Sequence, residues 1–131
     1  MTPEELIENF SYLTDWEDKY RYLIELGEQL PPMSDSEKTA INKVDGCMSQ
    51  VWISYTMKDG QYYFNMDSDA HIVRGLEAIL WILVNGKTSD EISKINIDDI
   101  FHQLGLSEHL SPTRRNGFIG MIKKIKKIIE E

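Results

Sequence analysis

The chain has 131 residues, 41% hydrophobic and 27% charged, which allows one globular domain with a real core and leaves no room for two. Its net charge of −8 argues against nucleic acid as the main partner, because a phosphate backbone calls for a basic face. The longest apolar run, Ala78 to Val84, is far too short to cross a bilayer, so no membrane is expected, and the N-terminus lacks the basic and apolar regions of a signal peptide.

Thr2-Pro3-Glu4-Glu5 reads as a capping box with proline at the first helical position, followed by Leu6, Ile7, Phe10 and Leu13 at helical spacing. Thr14-Asp15-Trp16-Glu17 reads as a second box, opening a helix with Trp16, Tyr20, Leu23, Ile24 and Leu26 inward. Gly27 is expected to weaken its end, and Pro31-Pro32 to stop it. The stretch 33–43 is polar; Ser34 to Glu37 suits a short helical turn, and Ile41 to Val44 an edge strand.

From Val51 the pattern alternates, with Val51, Ile53, Tyr55 and Met57 on one side and Trp52, Ser54 and Thr56 on the other, which predicts a strand from about Ser49 to Lys58. Asp59-Gly60 is a type I′ hairpin signal, and the aromatic-rich Gln61 to Met66 runs back. Ser68-Asp69 is expected to cap a helix from Ala70 to about Val84, closed by Asn85-Gly86 and buried around most of its circumference. Thr88 to Glu91 opens a short helix, Asp98 to Leu104 forms another, and Ser111-Pro112 starts the last, with Phe118, Ile122, Ile125 and Ile129 as its apolar seam. The class is α+β: a small antiparallel sheet, a hairpin plus an edge strand, packed against several helices.

The one cysteine, Cys47, excludes an internal disulfide and fits a reducing, cytoplasmic setting. It follows Gly46, which can take backbone angles closed to other residues and so suits a sharp turn. A core cysteine would more naturally replace Val51 or Ile53; Cys47 sits instead in a polar turn outside the apolar phase of either element. As a nucleophile it would need a nearby cation or helix N-terminus, for which Arg114 and Arg115 are candidates. The plainer alternative is a structural cysteine in an interaction domain. A hydrolase would need a histidine base, and no local pattern attaches His71, His102 or His109 to Cys47. Metal spacing is absent as well, with one cysteine and no histidine pair four apart. Asp67-Ser68-Asp69 is no calcium loop, because Ile72 and Ala78 stand where glycine and glutamate belong. The run Lys123-Lys124-Ile125-Lys126-Lys127 reads as a solvated helix face whose cations suit the negative end of the helix dipole.

Val44-Asp45-Gly46-Cys47-Met48-Ser49-Gln50-Val51-Trp52 resembles the Val-x-Gly-Cys-x-Ser-x-Val-Trp motif of SufE-type cysteine desulfuration proteins. Ser68-Asp69-Ala70-x-Ile72-Val73-x-Gly75-Leu76 resembles the family's second block. Leu104-Gly105-Leu106, His109 to Arg114 and Gly117 resemble the third. The resemblance implies one SufE/NifU-like domain over residues 1–131. It also implies a sulfur acceptor that takes persulfide sulfur from a SufS-like, pyridoxal-phosphate cysteine desulfurase, stimulates that enzyme and passes the sulfur to an iron–sulfur scaffold or another acceptor. By matching position, Cys47 becomes the persulfide-forming residue, Asp69 and Arg114 belong to the site or its loop, and Gly46 and Ser49 support the turn. No bound cofactor is implied, since the difficult bond cleavage belongs to the partner's pyridoxal phosphate. A homodimer is left open. Glu77, inside an otherwise apolar helix, is expected to face solvent or a partner.

Overall fold

The computed structural model describes residues 1–46 and 49–130; Cys47 and Met48, on which the central expectation falls, lie outside the described residues. Two helices come first, α1 (Pro3–Ser11) and α2 (Trp16–Glu28). The Thr2–Glu5 capping box forms as expected, but α2 starts one residue later than expected, capped by Asp15, whose carboxylate accepts the Asp18 N–H at 3.1 Å. Such a cap is worth about 1 kcal/mol.

A hairpin follows, β1 (Val51–Lys58) and β2 (Gln61–Ser68), antiparallel and in register from Val51 against Ser68 to Lys58 against Gln61. Its two-residue turn has Asp59 at φ 55° and Gly60 at φ 79°, the left-handed pair that a type I′ turn requires. Helix α3 (His71–Val84) returns across the sheet, and β3 (Lys87–Thr88) adds a third antiparallel strand beside β2. The sheet order is β1-β2-β3. Short helices α4 (Ser89–Ser93) and α5 (Ile97–Gln103) lead to the long α6 (Pro112–Glu130). The Thr88–Glu91 capping box forms, and its hydrogen bonds hold the exposed Glu91 carboxyl below its usual range.

The inner face of the hairpin buries Val51, Ile53, Tyr62, Phe64 and Met66 against α3, which is buried from Gly75 to Leu80 and at Leu83 and Val84. Beyond Ile53 the cover lies over β2 alone: Phe64 and Tyr62 stay buried, while their partners on the edge strand β1, Tyr55 and Met57, are exposed. The opposite face is covered near Ser54 by a single turn, Asp35–Glu37, whose Glu37 carboxylate accepts from Ser54 Oγ at 2.8 Å and from Asn65 Nδ2 at 3.3 Å.

Three expectations need correction, and Gly27 gains a second role. The segment Ile41 to Val44 does not form an edge strand. It makes one bridge, Lys43 against Trp52, and the third strand lies on the far side of β2. Gly27 sits in the last turn of α2, one residue before its end; a Cβ there would come within 2.8 Å of the Gly75 nitrogen, so the absence of a side chain lets α2 and α3 touch backbone to backbone. Ser68 and Asp69 do not cap α3, whose N-cap is Ala70 without a side-chain bond, because Asp69 is engaged elsewhere. Glu77 faces neither solvent nor a free surface; it is fully buried in α3.

Candidate functional site

The described residues on either side of Cys47 and Met48 are tied together at their base. Val44 N–H donates to the Val51 carbonyl and Ile53 N–H to the Asn42 carbonyl, both at 2.8 Å, so the chain on either side of the turn is held as a short antiparallel pair. Its outgoing end is fastened a second time. Gln50 N–H donates to the Asp69 carboxylate at 3.0 Å, and Asp69 N–H returns a bond to the Gln50 carbonyl at 3.2 Å. An exposed carboxylate that could have capped α3 therefore spends its acceptor on the loop. Gly46 has φ +83°, with open space where a Cβ would stand, so backbone conformation and not crowding selects glycine there.

Beside this turn lies a small, mostly apolar cleft of about 30 Å³, lined by Ser49, Val51, Val73, Thr113, Arg114, Gly117 and Met121. It has room for about one water-sized group. Three elements build it: the start of β1, the first turns of α3 and the first turns of α6. Ser111 Oγ accepts the Arg114 N–H at 3.3 Å, securing the start of α6. The half-buried Arg114 guanidinium lies 5.3 Å from the Tyr20 ring centroid, a cation–π contact that holds the charge at the rim of the cleft. Arg115, the other cation considered, is turned away; its Nη2 donates to the Ser107 carbonyl at 2.7 Å. An apolar recess edged by one fixed guanidinium and the Ser49 and Thr113 side chains suits a soft, weakly hydrated anion such as a thiolate.

Sequence reasoning did not find the support beneath this arrangement. Asp67 pairs with Lys38 at 3.0 Å and with Arg74 at 3.1 Å, joining the segment before the motif, β2 and α3 through one carboxylate. Hydrogen bonding to Asp67, and then its charge, raise the Lys38 pKa. Lys38 also lies over the Trp52 ring at 5.5 Å. Asp67 was readable only as one acid of Asp-Ser-Asp; its place on the outer face opposite Trp52 was a usable signal once the β2 alternation had been drawn. Close behind, Glu77 has both carboxylate oxygens buried without a hydrogen-bond partner among the described residues. Burial pushes its pKa well above the usual range, the Asp67 charge adds to this, and Arg74 offsets part of it.

Of the expected site residues, the structure brings Ser49 and Arg114 to one cleft, ties Asp69 to the end of the loop, and puts Gly46 in its turn. No histidine lines the cleft. His109 stacks on Trp16 with centroids 4.7 Å apart, and His102 Nδ1 is 3.3 Å from Ser107 Oγ. Among the described residues no group of three or more histidine, cysteine or acidic side chains could hold a metal ion, and no helix is long and apolar enough to cross a membrane.

Comparison with known proteins agrees with the residue pattern. The family described as "SufE: Fe-S metabolism associated domain" matches residues 4–129. An uncharacterized SufE-like protein of Rhizobium meliloti (strain 1021) is 47% identical over 127 residues, covering 94% of this chain and 91% of its own. A second from Rhizobium etli is 46% identical over 127 residues, covering 94% of this chain and 86% of its own. In fold, the chain is similar to the solution structure of a hypothetical protein from Thermus thermophilus, with a TM-score of 0.77 at 18% identity, covering 99% of this chain and 96% of that one. The chain belongs to the SufE family, whose domain is associated with Fe–S metabolism.

Proposed function

We propose that this protein is a sulfur acceptor and carrier within Fe–S metabolism. Cys47 takes persulfide sulfur from a SufS-like, pyridoxal-phosphate cysteine desulfurase, the docked protein stimulates that enzyme, and the sulfur passes to an iron–sulfur scaffold or another acceptor. The observation that carries the reading is the arrangement of the Cys47 neighbours. Gly46 and Gln50 belong to a turn fastened at both ends, and Ser49 shares an apolar cleft with the Arg114 guanidinium. The whole chain is read as one SufE-like domain.

The chemistry needs one thiol. The Cys47 thiolate attacks the outer sulfur of the donor's persulfide, the donor's sulfur–sulfur bond breaks, and the donor cysteine leaves as a thiolate while a persulfide forms on Cys47. Atoms and electrons balance with no added oxidant or reductant. Arg114 lowers the cost of the negative sulfur before and after the step, and the mostly apolar cleft limits attack by water and oxidants. Asp69 is a positioning residue, holding the outgoing end of the loop so that it presents one geometry to the donor. Cleavage of the carbon–sulfur bond belongs to the partner's cofactor, so this chain needs none. The reading calls for a reducing, cytoplasmic compartment in which the thiol stays free.

The test is the intact mass of the protein after incubation with a SufS-like desulfurase and cysteine, before and after reductant. A reductant-sensitive gain of one sulfur atom, about 32 Da, is expected for the wild type and absent from Cys47→Ser. A Cys47→Ser protein that still stimulates the desulfurase and still gains sulfur would return the cysteine to a structural role.

A further inference from the structure

The lysine run of α6 does not present itself as a uniformly solvated face. At 3.6 residues per turn, Lys123, Lys127 and Lys124 span about 100° of the helix circumference, and Lys126 lies about 60° beyond Lys123. The first three line an open cleft of about 230 Å³ together with Lys43, Asp45 and Gly120, whereas Lys126 lines the separate clefts beside α4 and α5. Lys43 arrives from the segment that leads into the Cys47 turn. Lys124 ties the two walls together, its Nζ donating to the Ile41 carbonyl at 2.6 Å. Gly120 closes the bottom, since a Cβ there would come within 2.7 Å of the Asp45 carbonyl oxygen.

This concentration of charge runs against the rest of the molecule. The chain carries 22 acidic against 14 basic residues, yet four lysines gather here with Asp45 as the one acid in the lining. Among the described residues, Lys43, Lys123 and Lys127 have no carboxylate within ion-pair distance. Mutual repulsion among the cations is left uncompensated in the free protein, and an acidic partner would relieve it. The neighbourhood also exposes large apolar side chains, Ile41 at 84% and Ile119, next to Gly120, at 41%. Apolar contacts beside a cationic cleft fit a protein surface. A nucleic acid or an anionic bilayer would instead meet the unfavourable net charge of the chain, −8.

We infer that the Lys43–Lys123–Lys124–Lys127 cleft is the docking surface for an acidic surface segment of the sulfur donor. The inference rests on the carrier reading and adds where the donor is gripped. Asp45, in the wall of this cleft, is two residues before Cys47, so a donor seated there is aligned with the reactive turn.

Binding can be read without the chemistry by titrating Cys47→Ser protein with a SufS-like desulfurase and following anisotropy, at low salt and at about 0.3 M salt. The Lys123→Glu/Lys127→Glu variant is expected to weaken binding by about tenfold and to flatten its salt dependence. Lys43→Glu, on a different element, should act in the same direction, and Lys126→Glu should stay within about twofold of the parent. Double-variant binding equal to that of Lys126→Glu would overturn the inference. So would retention on duplex DNA or phosphatidylglycerol vesicles that the double variant loses while desulfurase binding is unchanged. A wild type that binds through these lysines yet gains no sulfur overturns the carrier reading and leaves the surface. Undiminished sulfur uptake by the double variant at limiting donor does the reverse.

Discussion

Gly75 and Gly120 do the same steric work at two contacts, one behind the site and one in front of it. At the α2–α3 crossing, a Cβ on Gly75 would run into the Leu23 carbonyl, and one on Gly27 into the Gly75 nitrogen at 2.8 Å. Each helix presses on the other's backbone, and Leu23, Leu26, Leu76, Ile79 and Leu80 close around the contact with at most 2% of any of them exposed. At the α6 contact, Gly120 meets the Asp45 carbonyl, in an exposed turn, and the Val44 side chain, beside an open basic cleft. The first contact has nowhere to move; the second borders space. A fixed crossing holds the start of α3, and with it Asp69, while the compliant seam lies where, on the carrier reading, the loop meets the sulfur donor.

The largest effect should come from Gly75→Ala. A methyl group cannot fit against the Leu23 carbonyl, so the helices must separate along a contact that is backbone on both sides. A loss of roughly 3 kcal/mol is expected, read as a lower urea midpoint with sulfur acceptance falling only in step with the folded fraction. A shift below about 0.5 kcal/mol would mean that the crossing gives as readily as the seam.

Next in size is Glu77, placed by the same packed helix in a site without a partner. A buried carboxyl left without a hydrogen-bond partner costs about 1–3 kcal/mol, so Glu77→Leu should gain about 2 kcal/mol at neutral pH. The pH dependence has a definite sign. Burial first, then Asp67, raise the pKa of Glu77 in the folded state, so the folded form holds the proton more tightly than the unfolded chain. Its contribution is therefore fully present below the unfolded-chain value of 4.5 and is lost as pH rises through the raised folded value. Unfolding at acidic and at neutral pH should show wild type losing stability relative to Glu77→Gln as pH increases. A parallel pair of curves would mean that Glu77 reaches a partner that neutralises its charge.

The parts of the fold legible in the sequence are those decided by neighbours in the chain. The Thr2–Glu5 and Thr88–Glu91 boxes, the Asp59-Gly60 turn and the apolar girth of α3 need only local chemistry, and each formed as expected. What was missed turns on contacts far along the chain. Asp69 has the residue type and position of a helix cap, and nothing local says that Gln50 claims it first. β3 has two residues, too few for any period to register. Gly27 reads as a helix-weakener until Gly75 is brought against it. The site divides in the same way. Arg114 and Ser49 could be named in advance and stand in one cleft, whereas the Lys38–Asp67–Arg74 support requires the pairing of three distant segments.

Gly120→Ala separates the two contacts most sharply because its effect on stability should be the smallest. Gly120 lies in α6 without the positive φ that would penalise alanine, so the substitution gains about 1 kcal/mol of helix propensity. Against this, the new Cβ sits 2.7 Å from the Asp45 oxygen and 3.4 Å from Val44 Cγ1. Asp45 is exposed and its side of the turn can shift, so the two effects nearly cancel, and the unfolding free energy from urea titration should change by less than about 1 kcal/mol. The displacement falls on the turn that carries Cys47, and sulfur uptake from the desulfurase should slow several-fold at unchanged stability. The rate at which iodoacetamide alkylates the thiol gives a second readout without the donor. A Gly120→Ala protein destabilised as much as Gly75→Ala would make the seam as rigid as the crossing. One that takes up sulfur at the wild-type rate would mean that the incoming side of the turn does not need its present position, leaving the Asp69–Gln50 bonds to set the loop alone.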